Sequence, residues 1–170
     1  WAYKISAGYM TQDPLPRPTG TIPNVFRTPY PSFDNQGTSQ PKVDARVDYD
    51  IASGGTVTMA GGVAGAAGII YSGIGPFDIA NNSRLSYGTV RYQKGGRRVA
   101  VFTNVLNGNA TNLLTRGPGG AALPLDFDTK TFDVEVTDVR PVGMTHVLSY
   151  GGNLRHNTFA ISLAPEGDAR

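Results

Sequence analysis

The sequence contains no cysteine, only two histidines and a single tryptophan, and charged residues make up only 16% of it. Without cysteine, a disulfide framework, thiol catalysis and thiolate metal sites are excluded. No apolar run reaches the roughly 18 residues that a membrane helix requires, so a membrane helix is excluded. A membrane-spanning β-strand needs only about ten alternating residues, and that possibility stays open.

Basic residues are also sparse. The formal net charge is +2, and the densest cluster is Lys94, Arg97 and Arg98 beside a Gly-Gly pair. A group of this size is too small for the basic footprint of a nucleic-acid-binding protein, so we expect no nucleic-acid partner. The first residues show no signal-peptide pattern, because Trp1 begins directly in a strand-like alternation. A length of 170 residues is most simply one domain, residues 1–170.

Strand and turn residues are abundant, and the hydrophobic period is two. In residues 42–51 the alternation is complete, since Val43, Val47 and Tyr49 fall on one face and charged residues on the other. This pattern predicts a β-strand with one apolar and one polar face. Similar alternation covers residues 1–9, 131–136 and 158–163. The apolar residues that we place on strand faces are Val43, Val47, Tyr49, Phe132, Val134, Phe159 and Ile161.

Weaker strand patterns cover residues 56–66, 84–93, 98–106 and 143–150, and no window of useful length has helical spacing. The fold class predicted is therefore all-β, with about eight strands in an antiparallel up-and-down meander.

The connections alternate in length. Three are predicted to be tight turns, at residues 52–55, 94–97 and 138–143. Three are predicted to be long Pro-, Gly- and Asn-rich loops, at about residues 12–41, 67–83 and 107–129. An up-and-down barrel with short turns at one rim and long loops at the other has this rhythm. A half-buried antiparallel sheet in a soluble protein explains the alternation of the strands equally well.

Several segments resemble one known family. They are residues 8–20 (GYMTQDPLPRPTG), 35–42 (NQGTSQPK), 73–78 (GIGPFD), 102–104 (FTN) and 150–153 (YGGN). Together they resemble the front part of the β-barrel of TonB-dependent outer-membrane receptors, over nearly the whole chain. The resemblance implies a sector of a receptor barrel in the bacterial outer membrane that takes up a small ligand without chemistry. Plug domain and TonB box are absent from these residues.

A second hypothesis comes from a different class of protein. In it, the same barrel sector is used as a self-assembling structural β-protein in an extracellular filament or polymer. The expected partners are outer-membrane lipid, further strands of the same barrel, or copies of the chain. Strand pairing is expected at two edges, residues 1–11 and residues 158–164, because neither has the usual protection: the first has no proline and one charge, Lys4, and the second has neither.

Candidate sites for chemistry are weak. Asp44, Asp48 and Asp50 could suggest a calcium site, but Lys42 and Arg46 alternate with them, which favours a charge ladder on one strand face. The glycine run Gly62, Gly65 and Gly68 has no strand–loop–helix context for a phosphate cradle, and we expect a bend or a close strand contact there.

The histidines His146 and His156 have no carboxylate spaced as a metal co-ligand, and Ser149 and Asp133 are near His146 only in sequence. We therefore predict no catalytic residue, no cofactor-binding residue, no metal ligand and no enzyme activity. The Pro-rich residues 12–41, with Phe26, Tyr30 and Phe33, are interpreted either as a ligand-contacting external loop or as a rigid loop folded over its own rim.

Overall fold

A computed structural model describes residues 1–22, 27–73, 75–116, 120, 122–162 and 167–169. All of their strands belong to one antiparallel β-sheet. Among them, no helix is long and apolar enough to cross a membrane. The predicted residues Phe26, Leu163 and Ala164 lie outside the described part of the chain.

The sheet contains ten strands. They are β1 (Ala2–Gln12), β2 (Thr38–Ile51), β3 (Gly55–Gly65), β4 (Ala67–Ser72), β5 (Gly75–Ile79), β6 (Arg84–Lys94), β7 (Arg97–Arg116), β8 (Ala122–Val142), β9 (His146–Ile161) and β10 (Gly167–Ala169).

Strands β3 and β4 lie end to end and share one position in the sheet, and so do strands β5 and β6. β2 pairs with β3 and then with β4 without a change of register, since Lys42 opposes Ala64 and Ser39 opposes Ala67. β6 and β5 likewise both pair with β7. The chain therefore fills eight successive positions as a meander, which confirms the predicted all-β, up-and-down fold.

The short turns lie at one end of the sheet. The predicted turns after β2 and after β6 are confirmed, at residues 52–54 and 95–96. The third lies further along than predicted, because β8 continues to Val142 and the turn occupies residues 143–145. Gly143 has φ +66°, a conformation that glycine adopts without steric cost.

At the opposite end, two of the three predicted long loops are wrong. Residues 67–83 contain the β4–β5 hairpin, and residues 107–129 are mostly the ends of β7 and β8. Their Gly, Asn and Pro content disfavours strands locally, but pairing with neighbours along the sheet supplies the missing backbone partners. Among the described residues, 13–22 and 27–37 of the β1–β2 connection are the only long stretches outside the strands.

The final strands also differ from the prediction. Residues 143–150 and 158–163 were expected to be separate strands, whereas β9 runs unbroken through most of both. β10 pairs with β9 at Asn157, Thr158 and Phe159, so the predicted free edge at 158–164 is partly covered. Within the described residues, the open edge of β9 is instead residues 146–156, and β1 pairs only with β2.

Buried apolar side chains are concentrated in one place. The β4–β5 hairpin bridges β2 and β7, and the buried residues Ile69, Pro76, Phe77, Ala110 and Leu113 lie on or beside it. Elsewhere the sheet is a single layer. Its accessible surface is 11601 Å², whereas a compact monomer of 18.0 kDa exposes about 8,000 Å². Most apolar strand residues therefore remain uncovered.

Candidate functional site

The register of the sheet brings the apolar strand residues onto one face, because residues directly opposite each other in an antiparallel pair point the same way. One row across the sheet is apolar at every strand that it crosses. It consists of Tyr3, Val47, Met59, Val90, Val101, Val134 and Leu154, on β1, β2, β3, β6, β7, β8 and β9. We call the surface formed by this row and its neighbouring rows the apolar face.

Nothing in the described structure covers the apolar face. Ile5 is 70% exposed and Leu154 is 71% exposed, and even Val90, in the middle of the sheet, is 46% exposed. Exposed apolar areas of this extent are rare on soluble monomers and mark surfaces that meet another apolar partner. The apolar face is the most distinctive surface of the described chain.

The predicted hydrophobic residues divide between the two faces. Val43, Val47, Tyr49, Phe132 and Val134 lie on the apolar face, as expected. Phe159 and Ile161 lie on the opposite face of the sheet. They oppose Thr129 and Phe127 of β8, whose side chains point away from the face on which Lys130 and Asp128 lie. Local alternation predicts two faces for each strand but does not say which one joins the apolar face of its neighbour.

Charged residues limit the apolar face at both ends. On β8 it begins after Lys130 and ends before Asp138. At a rise of about 3.3 Å per residue, Lys130 and Asp138 are roughly 26 Å apart along the strand, and the residues from Phe132 to Val136 span about 13 Å of that distance. On β6 the limits are Arg84 and Lys94. The apolar face is thus a band with polar margins.

Tyrosines lie at the margin next to the short turns. Tyr49 and Tyr92 flank Val57 in one row across the sheet. Tyr150 is one row further towards the turns, opposite Asp138. Tyrosine combines an apolar ring with a polar hydroxyl, which suits a boundary between an apolar medium and water.

Outside the band, Asp138 organises a polar cluster at the same margin. Its Oδ2 is 2.7 Å from Arg140 Nη2 and 3.7 Å from Arg97 Nε, and the Tyr150 hydroxyl donates a 2.9 Å hydrogen bond to it. Hydrogen bonding from Arg140, with Tyr150 and Arg97 adding to it, holds the pKa of Asp138 below its usual range. We call Lys94, Arg97, Asp138, Arg140 and Tyr150 the rim cluster.

Most of the rim cluster was not predicted from the sequence. Lys94 and Arg97 were noted only as basic residues near a turn, and Asp138 was assigned to a turn. A usable signal was present, since Asp138 and Arg140 continue the alternation of Val134 and Val136. Charged residues that continue the apolar phase of a strand indicate the point where its apolar surroundings end.

The opposite face carries the predicted charge ladder of β2. Arg46 Nε donates a 2.8 Å hydrogen bond to Asp48, and Thr58 Oγ1 donates one of 2.6 Å to the same carboxylate. Thr56 Oγ1 donates to Asp50 at 3.0 Å. The described residues include no group of three or more His, Asp or Glu side chains placed to hold a metal ion.

The glycine run lies in β3 and β4 and not in a loop before a helix. A Cβ at Gly62 would be 2.8 Å from the Asp44 side chain and 2.8 Å from the Tyr87 ring. Gly68 has φ +94° and lies against the backbone of Gly37. The run therefore allows close strand contact and a bend, which is the interpretation that the sequence favoured.

The two histidines are far apart. Both lie on β9, ten residues from each other, which corresponds to about 33 Å along the strand. Ser149 alternates with His146 on that strand, so their side chains point to opposite faces. These residues do not come together as a catalytic or metal-binding group.

The Pro-rich connection between β1 and β2 is held by contacts within itself and by a contact with β5. Arg17 lies over the Phe33 ring, with 5.6 Å between the guanidinium carbon and the ring centre. Asn35 Nδ2 donates to the Leu15 carbonyl at 2.8 Å, and Gln36 Nε2 donates to Asp78 of β5 at 2.8 Å. These contacts fold the connection against the end of the sheet opposite the short turns.

No protein-family model, curated protein or solved structure matches this chain. The two faces of the sheet and the rim cluster are therefore the features of the described chain that bear on its function.

Proposed function

We propose that this chain is a sector of an outer-membrane β-barrel wall, in a receptor of the TonB-dependent type that takes up a small ligand. The observation that carries the proposal is the uncovered apolar face, continuous over seven strands, while the polar face behind it carries the charge ladder of β2 and the Arg155–Asp133 pair together with some apolar residues such as Phe159 and Ile161. In a membrane barrel, strands alternate between residues that face lipid and residues that face a wet interior.

The dimensions of the band support a membrane location. Between its charged limits the band is about 26 Å long along β8, which at the strand tilt of about 40° in outer-membrane barrels corresponds to a height of about 20 Å, compared with their roughly 25 Å apolar band bordered by aromatic residues. In this placement the band contacts lipid, while the ladder around Asp48 and the Arg155–Asp133 pair at 2.8 Å face the interior. The role in uptake comes from the sequence resemblance, and it requires binding and transport without bond-forming chemistry.

The membrane placement can be tested with single cysteines, since the natural chain has none. The full chain is reconstituted in phosphatidylcholine vesicles with a fluorescent label at position 47, 59 or 101 of the apolar face. Matched labels at 46, 58 and 100 lie one residue away, on the polar face. We expect lipid-chain quenchers to act on the first set and aqueous iodide on the second. Equal quenching of both sets, or the reverse, contradicts the proposal.

A second candidate function is a self-assembling structural protein outside the membrane. It is favoured by the two edges, β1 and residues 146–156 of β9, which are paired on their inner side only in the described structure. Unpaired edges of this kind act as templates for another chain.

The mass and location of the polypeptide in its native source distinguish the two candidates. A larger polypeptide in the outer-membrane fraction supports the receptor. A polypeptide near 18 kDa in detergent-free, high-molecular-weight polymer supports the structural protein.

A further inference from the structure

We propose that the rim cluster binds the phosphate group of an anionic phospholipid whose acyl chains lie along the apolar face. This inference rests on the proposed membrane location and adds a specific lipid partner to it. It places the bound lipid at the end of the sheet with the short turns.

The rim cluster carries a net positive charge. Lys94, Arg97 and Arg140 supply three positive charges around the single carboxylate of Asp138. The Arg97 and Arg140 side chains are 56% and 53% exposed, so both are accessible to a ligand, and Asp138 holds Arg140 by hydrogen bonding while Arg97 Nε lies 3.7 Å from the same carboxylate. Guanidinium groups held in this way match the oxygen geometry of a phosphate.

The rim cluster also lies directly beside the apolar face. These cations line one concavity with Tyr92 and Pro141, beside the turn that joins β6 and β7. The concavity adjoins the apolar face, where Val99 and Val136 are paired across β7 and β8 in the row of Tyr92. A ligand that fills both surfaces needs a compact anion joined to a long apolar chain, and a phospholipid has this construction. Inorganic phosphate would use the cations alone.

The opposite margin shows a different pattern of charge. There Asp128 is paired with Lys130 at 3.3 Å, and Arg84 is the further cation in the same row. The positive charges at that margin are balanced more closely by carboxylates, since Asp126 lies nearby as well. We therefore assign the anionic lipid to the rim cluster and not to both margins.

The test compares vesicles of phosphatidylcholine with vesicles that also contain phosphatidylglycerol, using the full chain and a fluorescent phosphatidylglycerol. We expect the protein to insert into both and to bind the labelled lipid selectively. Because each basic residue near a membrane surface contributes about 1 kcal/mol, Lys94→Gln should reduce this binding about fivefold and Arg97→Gln by a similar factor. Lys94→Gln leaves the Arg140–Asp138 pair intact, so it tests charge without disturbing the fold. Arg91→Gln, on the polar face, is the matched control and should change nothing.

The outcomes separate the two levels of the proposal. Failure to insert into either kind of vesicle would contradict the membrane location. Insertion with equal binding of phosphatidylcholine and phosphatidylglycerol would overturn the lipid site alone. Displacement of the labelled lipid by inorganic phosphate as readily as by unlabelled phosphatidylglycerol would show an ion site and also overturn it.

Discussion

Ser83 holds the point where β5 and β6 meet beside β7. Ile79 and Arg84 are five residues apart in the chain. The β7 residues that they oppose, Ala110 and Asn107, are only three residues apart. The two extra residues form a small turn in which the Ser83 N–H donates to the Ala80 carbonyl at 3.0 Å. Ser83 Oγ accepts a hydrogen bond from the Asn109 N–H at 3.2 Å and donates to the Asn109 carbonyl at 3.1 Å.

We predict that Ser83→Ala destabilises the chain by roughly 1–3 kcal/mol, because the Asn109 N–H loses its acceptor in a partly buried position. The free energy of unfolding would be measured by urea titration and circular dichroism. Ser86→Ala is the control, since the Ser86 hydroxyl makes only a 3.5 Å contact with Val105 and should cost less. Equal losses in the two variants would show that the hydroxyl of Ser83 has no special role.

Asp138 gives a second prediction at this scale. Its pKa is lowered in the folded chain, so its contribution to stability is present above the ordinary aspartate pKa of about 4 and is lost as the pH falls through the folded pKa. Asp138→Asn should therefore lower the thermal unfolding midpoint at pH 7, and the difference from the natural chain should shrink in acid. Asp128→Asn, at a carboxylate with one lysine partner, should have a smaller effect at pH 7. A difference for Asp138→Asn that does not change with pH contradicts the argument.

Among the elements, the β4–β5 hairpin contains most of the buried apolar residues of the described chain. Phe77 is 8% exposed, whereas Phe132, on the apolar face, is 46% exposed. The hairpin is short, yet it closes a ring of strand pairings through β2, β3, β6 and β7. Its packing therefore fixes the positions of the longer strands around it.

We predict that Phe77→Ala lowers the free energy of unfolding by about 3–5 kcal/mol, the usual cost of emptying a buried aromatic site. Phe132→Ala removes the same side chain from an exposed site and should cost much less in detergent-free buffer. The comparison is made by urea unfolding of both variants under identical conditions. A similar cost for both would contradict the assignment of the core to the hairpin.

This hairpin also shows where prediction from sequence reaches its limit. Strict alternation in residues 42–51 was enough to place β2 and its apolar residues correctly. Residues 67–83 also carried a signal, since Ile69 to Tyr71 and Phe77 to Ile79 flank a Gly-containing turn, but glycine and asparagine around them favoured a loop. The rim cluster and the small turn at Ser83 depend on contacts between different strands, which local sequence patterns do not specify.

On the scale of the whole molecule, the chain is a sheet with two edges. Eight strand positions are an even number, so the last runs antiparallel to the first. A further strand that runs in the direction of β10 can continue along the open edge of β9 with the antiparallel pairing found throughout the sheet. In a head-to-tail contact, β1 of the next copy runs antiparallel to β10 but parallel to β9, and repetition of the contact gives a ring if the rotation closes and a filament if it does not.

The edge of β9 can be blocked without breaking its pairing with β8. The Ser162 N–H donates to the Asp126 carbonyl at 3.0 Å, and the register between the strands is regular from Phe127 to Val142. Because inward and outward groups alternate along an antiparallel strand, the N–H groups of odd-numbered residues such as Ser149 and Asn153 point away from β8. Proline at these positions removes only outward donors, which is how edge strands tolerate it.

We therefore predict that the full chain in detergent-free buffer forms oligomers, and that the double variant Ser149→Pro and Asn153→Pro reduces them. Leaving several backbone groups unpaired in apolar surroundings costs roughly 1–3 kcal/mol each, so an isolated sheet should not persist when copies can pair. Light scattering measures the mass, and circular dichroism checks that the variants retain the sheet. The double alanine variant at the same positions is the control and should assemble like the natural chain. A stable, monodisperse monomer of the natural chain would show that its edges do not drive assembly. Oligomers that persist unchanged in the proline variant would show that the contact forms elsewhere, with β1 and the apolar face as the next surfaces to test.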